Sequence, residues 1–335
     1  MSLLFIGDIH IRLENFEEID KLEVILKDIL ENDKSIEYVI FGGDILHTHE
    51  KLHTLALNKA VNFLKTFLSY CKVICIVGNH DMINNQQFLT ENHWMNSLKK
   101  EFTIVDKPCT FSSSNIIFSC IPYVFNGRFK DALCELQDDY KQNDIIFCHQ
   151  EFKGCKMGAI ISEHGDEWDE NDVSIMSGHI HDYQKPQKNI FYPGTPIQQS
   201  FGDRNENIIV KVTKGVEGLE YEEIPMTIEK KKNVYVDVEK LKDLDIKTDN
   251  PHNIKVTITG TIEEIKSLKK TAKYKDLIEK GFKVTTKTKK EKEKDGEQGE
   301  IEEELKDNDF HKILVEILKK ETNKFIMEDY KIFFN

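Results

Sequence analysis

Short apolar runs alternate with amphipathic stretches from residue 3 to about residue 213. The runs Leu3 to Ile6, Tyr38 to Phe41, Val73 to Val77, Ile116 to Ile121, Ile145 to Cys148, Ile175 to Met176 and Ile208 to Val212 predict strands. Leu22, Ile25, Leu26, Ile29 and Leu30 recur at helical spacing between the first two. Leu57, Ala60, Val61, Leu64, Phe67 and Leu68 do the same before the third. Strands alternating with helices predict an α/β or α/β/β sandwich over residues 1–228.

Beyond residue 228 the composition shifts toward lysine and glutamate. Ile254, Val256 and Ile258 alternate as in a half-buried strand. Thr261, with Glu264 three residues on, is a capping-box signature for a helix carrying Ile262, Ile265 and Leu268. A small α+β cap is therefore expected over 229–285. Residues 286–308 are poor in apolar side chains, with Lys287, Lys289, Lys290 and Lys292 followed by Glu300, Glu302, Glu303 and Glu304, and read as a solvated linker. In 309–335, Phe310, Ile313, Leu314, Ile317 and Leu318 form one stripe of an amphipathic helix, which would pack on its own domain or in a partner's groove.

A chain of 335 residues with 39% hydrophobic and 31% charged residues suits two soluble domains. No apolar run reaches the roughly 20 residues that span a bilayer, so no membrane role is expected. The first residues lack a secretory pattern, which predicts an intracellular protein, cytoplasmic or nuclear. The seven cysteines are odd in number and form no C-x-x-C pair, so buried reduced thiols explain them best. The net charge of -13 opposes a broad nucleic-acid surface. Bound metals and local lysine patches would still allow one. Arg12, Arg128 and Arg204 are the only arginines, so any DNA contact should be sequence-tolerant.

Five motifs follow predicted strands: Gly7-Asp8-Ile9-His10, Gly43-Asp44-Ile45-Leu46-His47, Gly78-Asn79-His80-Asp81, Cys148-His149-Gln150 and Gly178-His179-Ile180-His181. Each puts Asp, Asn or His at a strand's carboxyl end, where loops from separate strands converge. Any one of these alone is an ordinary turn or core histidine; all five in order are not coincidence. Carboxylate, amide and imidazole donors suit manganese, iron, zinc or magnesium. Seven ligands exceed one ion's needs and fit two ions sharing a carboxylate. Asp44, central among the strand ends, is the expected bridge.

The series resembles the calcineurin-like metallophosphoesterases over roughly residues 3–205. The resemblance implies a four-layer α/β/β/α metallophosphoesterase sandwich, here with a small α+β cap and a C-terminal helix. It implies two divalent metal ions, manganese foremost. Asp8, His10, Asp44 and His181 would hold one, and Asp44, Asn79, His149 and His179 the other. His80 matches the family's catalytic histidine, an acid for the leaving oxygen, while water activated by the metals attacks. The second and third motifs lack the G-D-x-x-D-R-G and G-N-H-E of the protein phosphatases. They are similar instead to the Mre/SbcD-type nucleases; in the archaeal and eukaryotic Mre members the histidine at the place of His47 assists DNA processing, where the bacterial SbcD commonly has Asp. Tyr192 to Gly202 also looks like the corresponding SbcD stretch. That likeness implies a DNA exonuclease and endonuclease subunit, sequence-nonspecific, working with an SMC-like ATPase and as a homodimer. The alternative is a small-molecule or nucleotide phosphodiesterase, and a lysine-rich groove past the metal site would discriminate the two. A non-catalytic scaffold would leave buried carboxylates and histidines without a role. Gln150 to Trp168 is expected as a long loop, and Trp94 and Trp168 as packing residues rather than base-stacking ones.

Overall fold

The computed structural model describes residues 1–289 except 50, 114, 204 and 205. The predicted helix in 309–335 and nearly all of the charged linker lie outside them. Among the described residues, seventeen strands run in chain order: β1 (Ser2–Ile6), β2 (Ile36–Phe41), β3 (Lys72–Ile76), β4 (Thr103–Val105), β5 (Cys109–Ser112), β6 (Ile117–Ile121), β7 (Ile145–His149), β8 (Lys156–Met157), β9 (Ile160–Ile161), β10 (Ser174–Gly178), β11 (Gln184–Gln187), β12 (Ile190–Tyr192), β13 (Ile208–Lys214), β14 (Leu219–Pro225), β15 (Lys232–Asp237), β16 (Ile254–Gly260) and β17 (Lys283–Thr288). The helices are α1 (Phe16–Asn32), α2 (Thr54–Phe67), α3 (Phe129–Leu133), α4 (Ile262–Leu268) and α5 (Ala272–Glu279).

Two six-stranded sheets stack, ordered β14-β13-β1-β2-β3-β4 and β11-β12-β10-β7-β6-β5. β1 to β4 pair in parallel, as do β6, β7, β10 and β12. Period-two alternation places successive side chains in different layers. Leu3, Phe5, Ile40, Ile74, Ile145 and Phe147 fill the space between the sheets. Leu4, Ile6, Val39, Phe41 and Cys75 turn outward onto Leu22 and Leu26 of α1 and Ala60, Phe63 and Phe67 of α2. On the outer face of the second sheet, Ile146 and Cys148 meet Phe129, Phe152, Trp168 and Tyr192. That fourth layer is supplied by the short α3 and the segments around it.

The stretch expected as a long loop after β7 carries the β8–β9 ribbon. Trp168 is buried with its indole N–H donated to the Val173 carbonyl, and Trp94 donates to Asp81, so both are packing residues. Of the cysteines, Cys75, Cys120, Cys148 and Cys155 are buried, Cys71 and Cys109 are half-buried, and Cys134, contrary to expectation, is exposed.

A third sheet, β15-β16-β17, is wholly parallel and has its own core, with Val256, Ile258, Leu268 and Leu277 at its centre. The Thr261 hydroxyl accepts the Glu264 N–H, and the Glu264 carboxylate accepts the Thr261 N–H, closing the capping box of α4. β17 continues to Thr288, so residues expected at the start of the linker belong to the sheet. No apolar alternation marks that strand, because Lys283–Thr288 is an edge strand of lysine and threonine with one valine. No helix among the described residues is long and apolar enough to cross a membrane.

Candidate metal centre

The carboxyl ends of β1, β2 and β3 meet those of β7 and β10 along one edge of the two sheets. Asp8 and His10 follow β1, Asp44 follows β2, Asn79 and His80 follow β3, His149 ends β7, and His179 and His181 follow β10. Asp8, His10, Asp44, Asn79 and His149 are buried. Three of these side chains sit on strained backbone, with φ of 49° at His10, 50° at Asp44 and 77° at His179. Non-glycine residues hold that conformation only where surrounding packing enforces it.

Two donor groups result, Asp8 with His10 and His181, and Asp44 with His149 and His179. In the first, His10 Nε2 and His181 Nε2 lie 2.9 Å apart, and Asp8 Oδ2 is 3.6 Å from His181 Nε2. In the second, Asn79 Oδ1 lies 2.9 Å from His149 Nε2 and 3.0 Å from His179 Nδ1. Asp44 Oδ2 stands between the groups, 3.7 Å from His10 Nε2 and 3.4 Å from His149 Nε2.

Supporting bonds orient these donors. His149 Nδ1–H donates to the Gly42 carbonyl at 2.7 Å, which turns Nε2 toward the site. Asp44 Oδ1 accepts the His80 N–H at 2.8 Å, and Asp8 accepts the His179 N–H at 2.9 Å. Close approach needs glycine at two positions. A Cβ at Gly78 would stand 2.3 Å from Asp44 Oδ1, and one at Gly43 would stand 2.3 Å from His149 Nδ1 on backbone already at φ +107°.

The electrostatics of the group follow from burial and crowding. Burial would raise the Asp44 carboxyl, but the charge and hydrogen bond of His149 outweigh it and hold Asp44 below the ordinary range. Burial raises Asp8 despite the opposing pull of His149. His149 is depressed by burial yet carried up to about 9 by Asp44 and Asp8. Burial and then His149 push His179 down to about 3, and burial takes His10 well below its usual value. His10 and His179 are thus held neutral, while the proton that Asp44 and Asp8 hold on His149 would give way to a bound cation; imidazole, amide and buried carboxylate donors together form a set that fits divalent metal. His10 Nε2 and His181 Nε2, 2.9 Å apart, can share one proton or turn both lone pairs toward one cation. Asp8, His10 and His181 would hold one ion, Asn79, His149 and His179 a second, with Asp44 between them.

His80 lies beside the first group. Its Nδ1–H donates to the His47 carbonyl at 2.7 Å, which leaves Nε2 to carry or release a proton. Ring nitrogens of His10, His47 and His80 cluster together. His80 is also stacked between two imidazoles, with His47 at 5.7 Å and His49 at 4.4 Å between ring centroids.

Four contributors were missed from sequence. Asp81 ends the Gly78-Asn79-His80-Asp81 motif but points away from the donors, accepting from Gly78 N–H at 3.1 Å and from the Trp94 indole at 2.7 Å. Burial, then the charge of Asp44, lifts it to about 6. Trp94 thus braces the ligand loop. His49 had one available signal, its spacing two residues past His47. Arg12 had none: its guanidinium reaches His47 Nδ1 at 3.4 Å and also bonds the Gln199 carbonyl, a contact made only by the fold.

A family model described as calcineurin-like phosphoesterase matches residues 1–183. "Putative phosphoesterase 244L" of Invertebrate iridescent virus 6 is 42% identical over 284 residues, covering 80% of this chain and 97% of that protein. "Putative phosphoesterase 078R" of Invertebrate iridescent virus 3 is 40% identical, covering 86% and 85%. Among solved structures, a hypothetical protein of Pyrococcus horikoshii OT3 aligns over 67% of this chain and 88% of its own, at 8% identity and a TM-score of 0.39. With more than half its length matched by the family model and two viral relatives at 40% identity or above, the chain belongs to the calcineurin-like phosphoesterases.

Proposed function

We propose that the protein is a manganese-dependent nuclease that cuts DNA phosphodiester bonds without sequence preference, with exonuclease and endonuclease action, as the subunit of a repair or recombination complex that an SMC-like ATPase controls. The observation that carries the DNA reading is the position of Arg12. Its guanidinium touches His47 at one end of the metal centre and also lines a cleft of about 870 Å³ between the sandwich and the third sheet. Lys231, Lys255 and Lys283 line the same cleft. Glu14, Glu17 and Glu18 share its lining, but a cleft with four cationic side chains, one of which touches His47, suits a polyanionic strand better than a compact diester.

When bound, two divalent ions supply positive charge to a phosphate and activate water. The chain's own residues do the rest. His80, fixed by its bond to the His47 carbonyl, offers Nε2 as the acid for the leaving oxygen. His47, with Arg12 against it, steers the strand. Burial, then Arg12, holds the His47 imidazole below its usual value, so it acts as a neutral hydrogen-bonding group. The viral relatives support action inside an infected cell. The ATPase partner and the homodimer rest on the likeness to the Mre/SbcD-type nucleases.

The deciding experiment compares digestion of linear double-stranded DNA with turnover of a small chromogenic diester, both with manganese, for wild type and Asp44→Asn. DNA cleavage that Asp44→Asn loses supports the nuclease. Turnover of the small diester alone replaces it with a small-molecule phosphodiesterase.

A further inference from the structure

The third sheet has two unlike faces. Val234, Val236, Val256, Ile258 and Val284 turn into its core against α4 and α5. The alternate residues form registered rows on the other face. Asn233 pairs with Lys255 and Lys255 with Lys283; one step along, Tyr235 pairs with Thr257 and Thr257 with Thr285. This face lines the cleft whose opposite wall carries Arg12 and Phe201.

Tyr235 is 72% exposed although it sits in the middle of its strand. Lys255 forms no ion pair among the described residues, and Lys283 Nζ lies 5.2 Å from the Phe201 ring centroid. The acids of the cleft are partly engaged, Glu18 with Lys231 at 3.6 Å and Glu14 with Arg12 at 4.0 Å, while Glu17 also lines it. Burial lowers Lys231 against the opposing pull of Glu18, with Arg12 and Lys283 adding to the drop.

We infer that the open face of this sheet is a platform for single-stranded DNA, on which Tyr235 stacks a base and Lys255 and Lys283 hold flanking phosphates, leading the strand to Arg12 and the metal centre. This rests on the nuclease reading. An exposed aromatic ring on a sheet needs an unpaired base to stack on, because a duplex keeps its base faces covered. Lysines supply point charge without base readout, in keeping with a sequence-tolerant substrate.

The test measures fluorescence anisotropy of a labelled oligothymidine and of a blunt duplex of equal length, in EDTA so that nothing is cut. Tyr235→Ala should weaken single-strand binding about tenfold, the loss of one stacked base, and leave duplex binding near wild type. Tyr235→Phe should restore it. Replacing Lys255 and Lys283 together by alanine should flatten the salt dependence by about 1.4, near 0.7 per lost phosphate contact. A Tyr235→Ala protein that melts like wild type and keeps full single-strand affinity overturns the platform, while wild-type cleavage of DNA would leave the nuclease reading standing. A wild type that neither binds nor cuts DNA removes both.

Discussion

The strand-end site and the open face of the third sheet carry charge and aromatic rings by opposite means. At the strand ends, carboxylates and imidazoles crowd within 2.9–3.9 Å of one another, most of them buried with His181 at the open side, and three of them on backbone bent to positive φ. On the sheet face, Tyr235 and Lys255 stand on regular extended backbone, Tyr235 exposed and Lys255 half-buried. Burial makes each ligand depend on all the others, since an unpaired charge there has no water to turn to. Exposure makes each side chain of the face nearly independent. Substitutions at the site should therefore fail together, and those on the face should add.

The largest expected effect is that of His80→Ala, which removes a proton carrier while keeping the ligands. Phosphodiester turnover, of DNA too on the proposed reading, should fall about 10²- to 10⁴-fold, with metal content by mass spectrometry equal to wild type. Loss of metal together with turnover would show that His80 supports the ligand loop and does not handle the proton. Gly78→Ala comes next. Its Cβ would press on Asp44 Oδ1 at 2.3 Å and on the Asp44 nitrogen at 2.4 Å, both held by the surrounding backbone. Displacement of that carboxylate should cost about 10²-fold in turnover and about 3 kcal/mol in urea unfolding. A change in only one of the two would break the link drawn here between packing and chemistry.

That link also explains what the sequence could and could not tell. Asp8, Asp44, Asn79 and His149 are legible because metal chemistry restricts residue type, and each follows an apolar run that can only be a strand. Asp81 carries the same residue type in the same motif, yet its carboxylate serves the Gly78 amide and Trp94. Composition and spacing do not separate those duties. Arg12 and His49 act through contacts that exist only after folding, across 35 and 31 positions of the chain to His47 and His80. In the third sheet, β16 and the capping box of α4 are legible because alternation and capping are local signals. β15 and β17 are weaker, being edge strands of mixed polarity.

The capping box gives a smaller effect. Thr261→Ala deletes the acceptor for the Glu264 N–H and should cost about 1 kcal/mol in urea unfolding. Diester turnover should not change, because α4 lies on the far side of its sheet from the cleft. A fall in turnover would mean that the third sheet and the strand-end site are more tightly coupled than their contacts indicate.

The smallest effect tests whether burial or location sets the contrast. Asp33 caps the end of α1 in the same sandwich as the metal centre, but it is a partly exposed surface residue, with Lys211 Nζ of β13 2.6 Å from Oδ2 and the Ser35 N–H donating to Oδ1 at 2.9 Å. The hydrogen bond from Lys211, then that from Ser35, lowers its carboxyl from 3.8 to about 2. A depressed folded value means that its stabilisation is present above pH 3.8 and is lost as pH falls toward 2. Solvent screening should keep it below about 1 kcal/mol. Asp33→Asn should therefore be slightly less stable than wild type at pH 6, and the gap should narrow as urea midpoints are followed below pH 4. If Asp33→Asn instead collapses the sandwich as Gly78→Ala is expected to, membership of the catalytic layer and not burial governs how strongly its residues depend on one another.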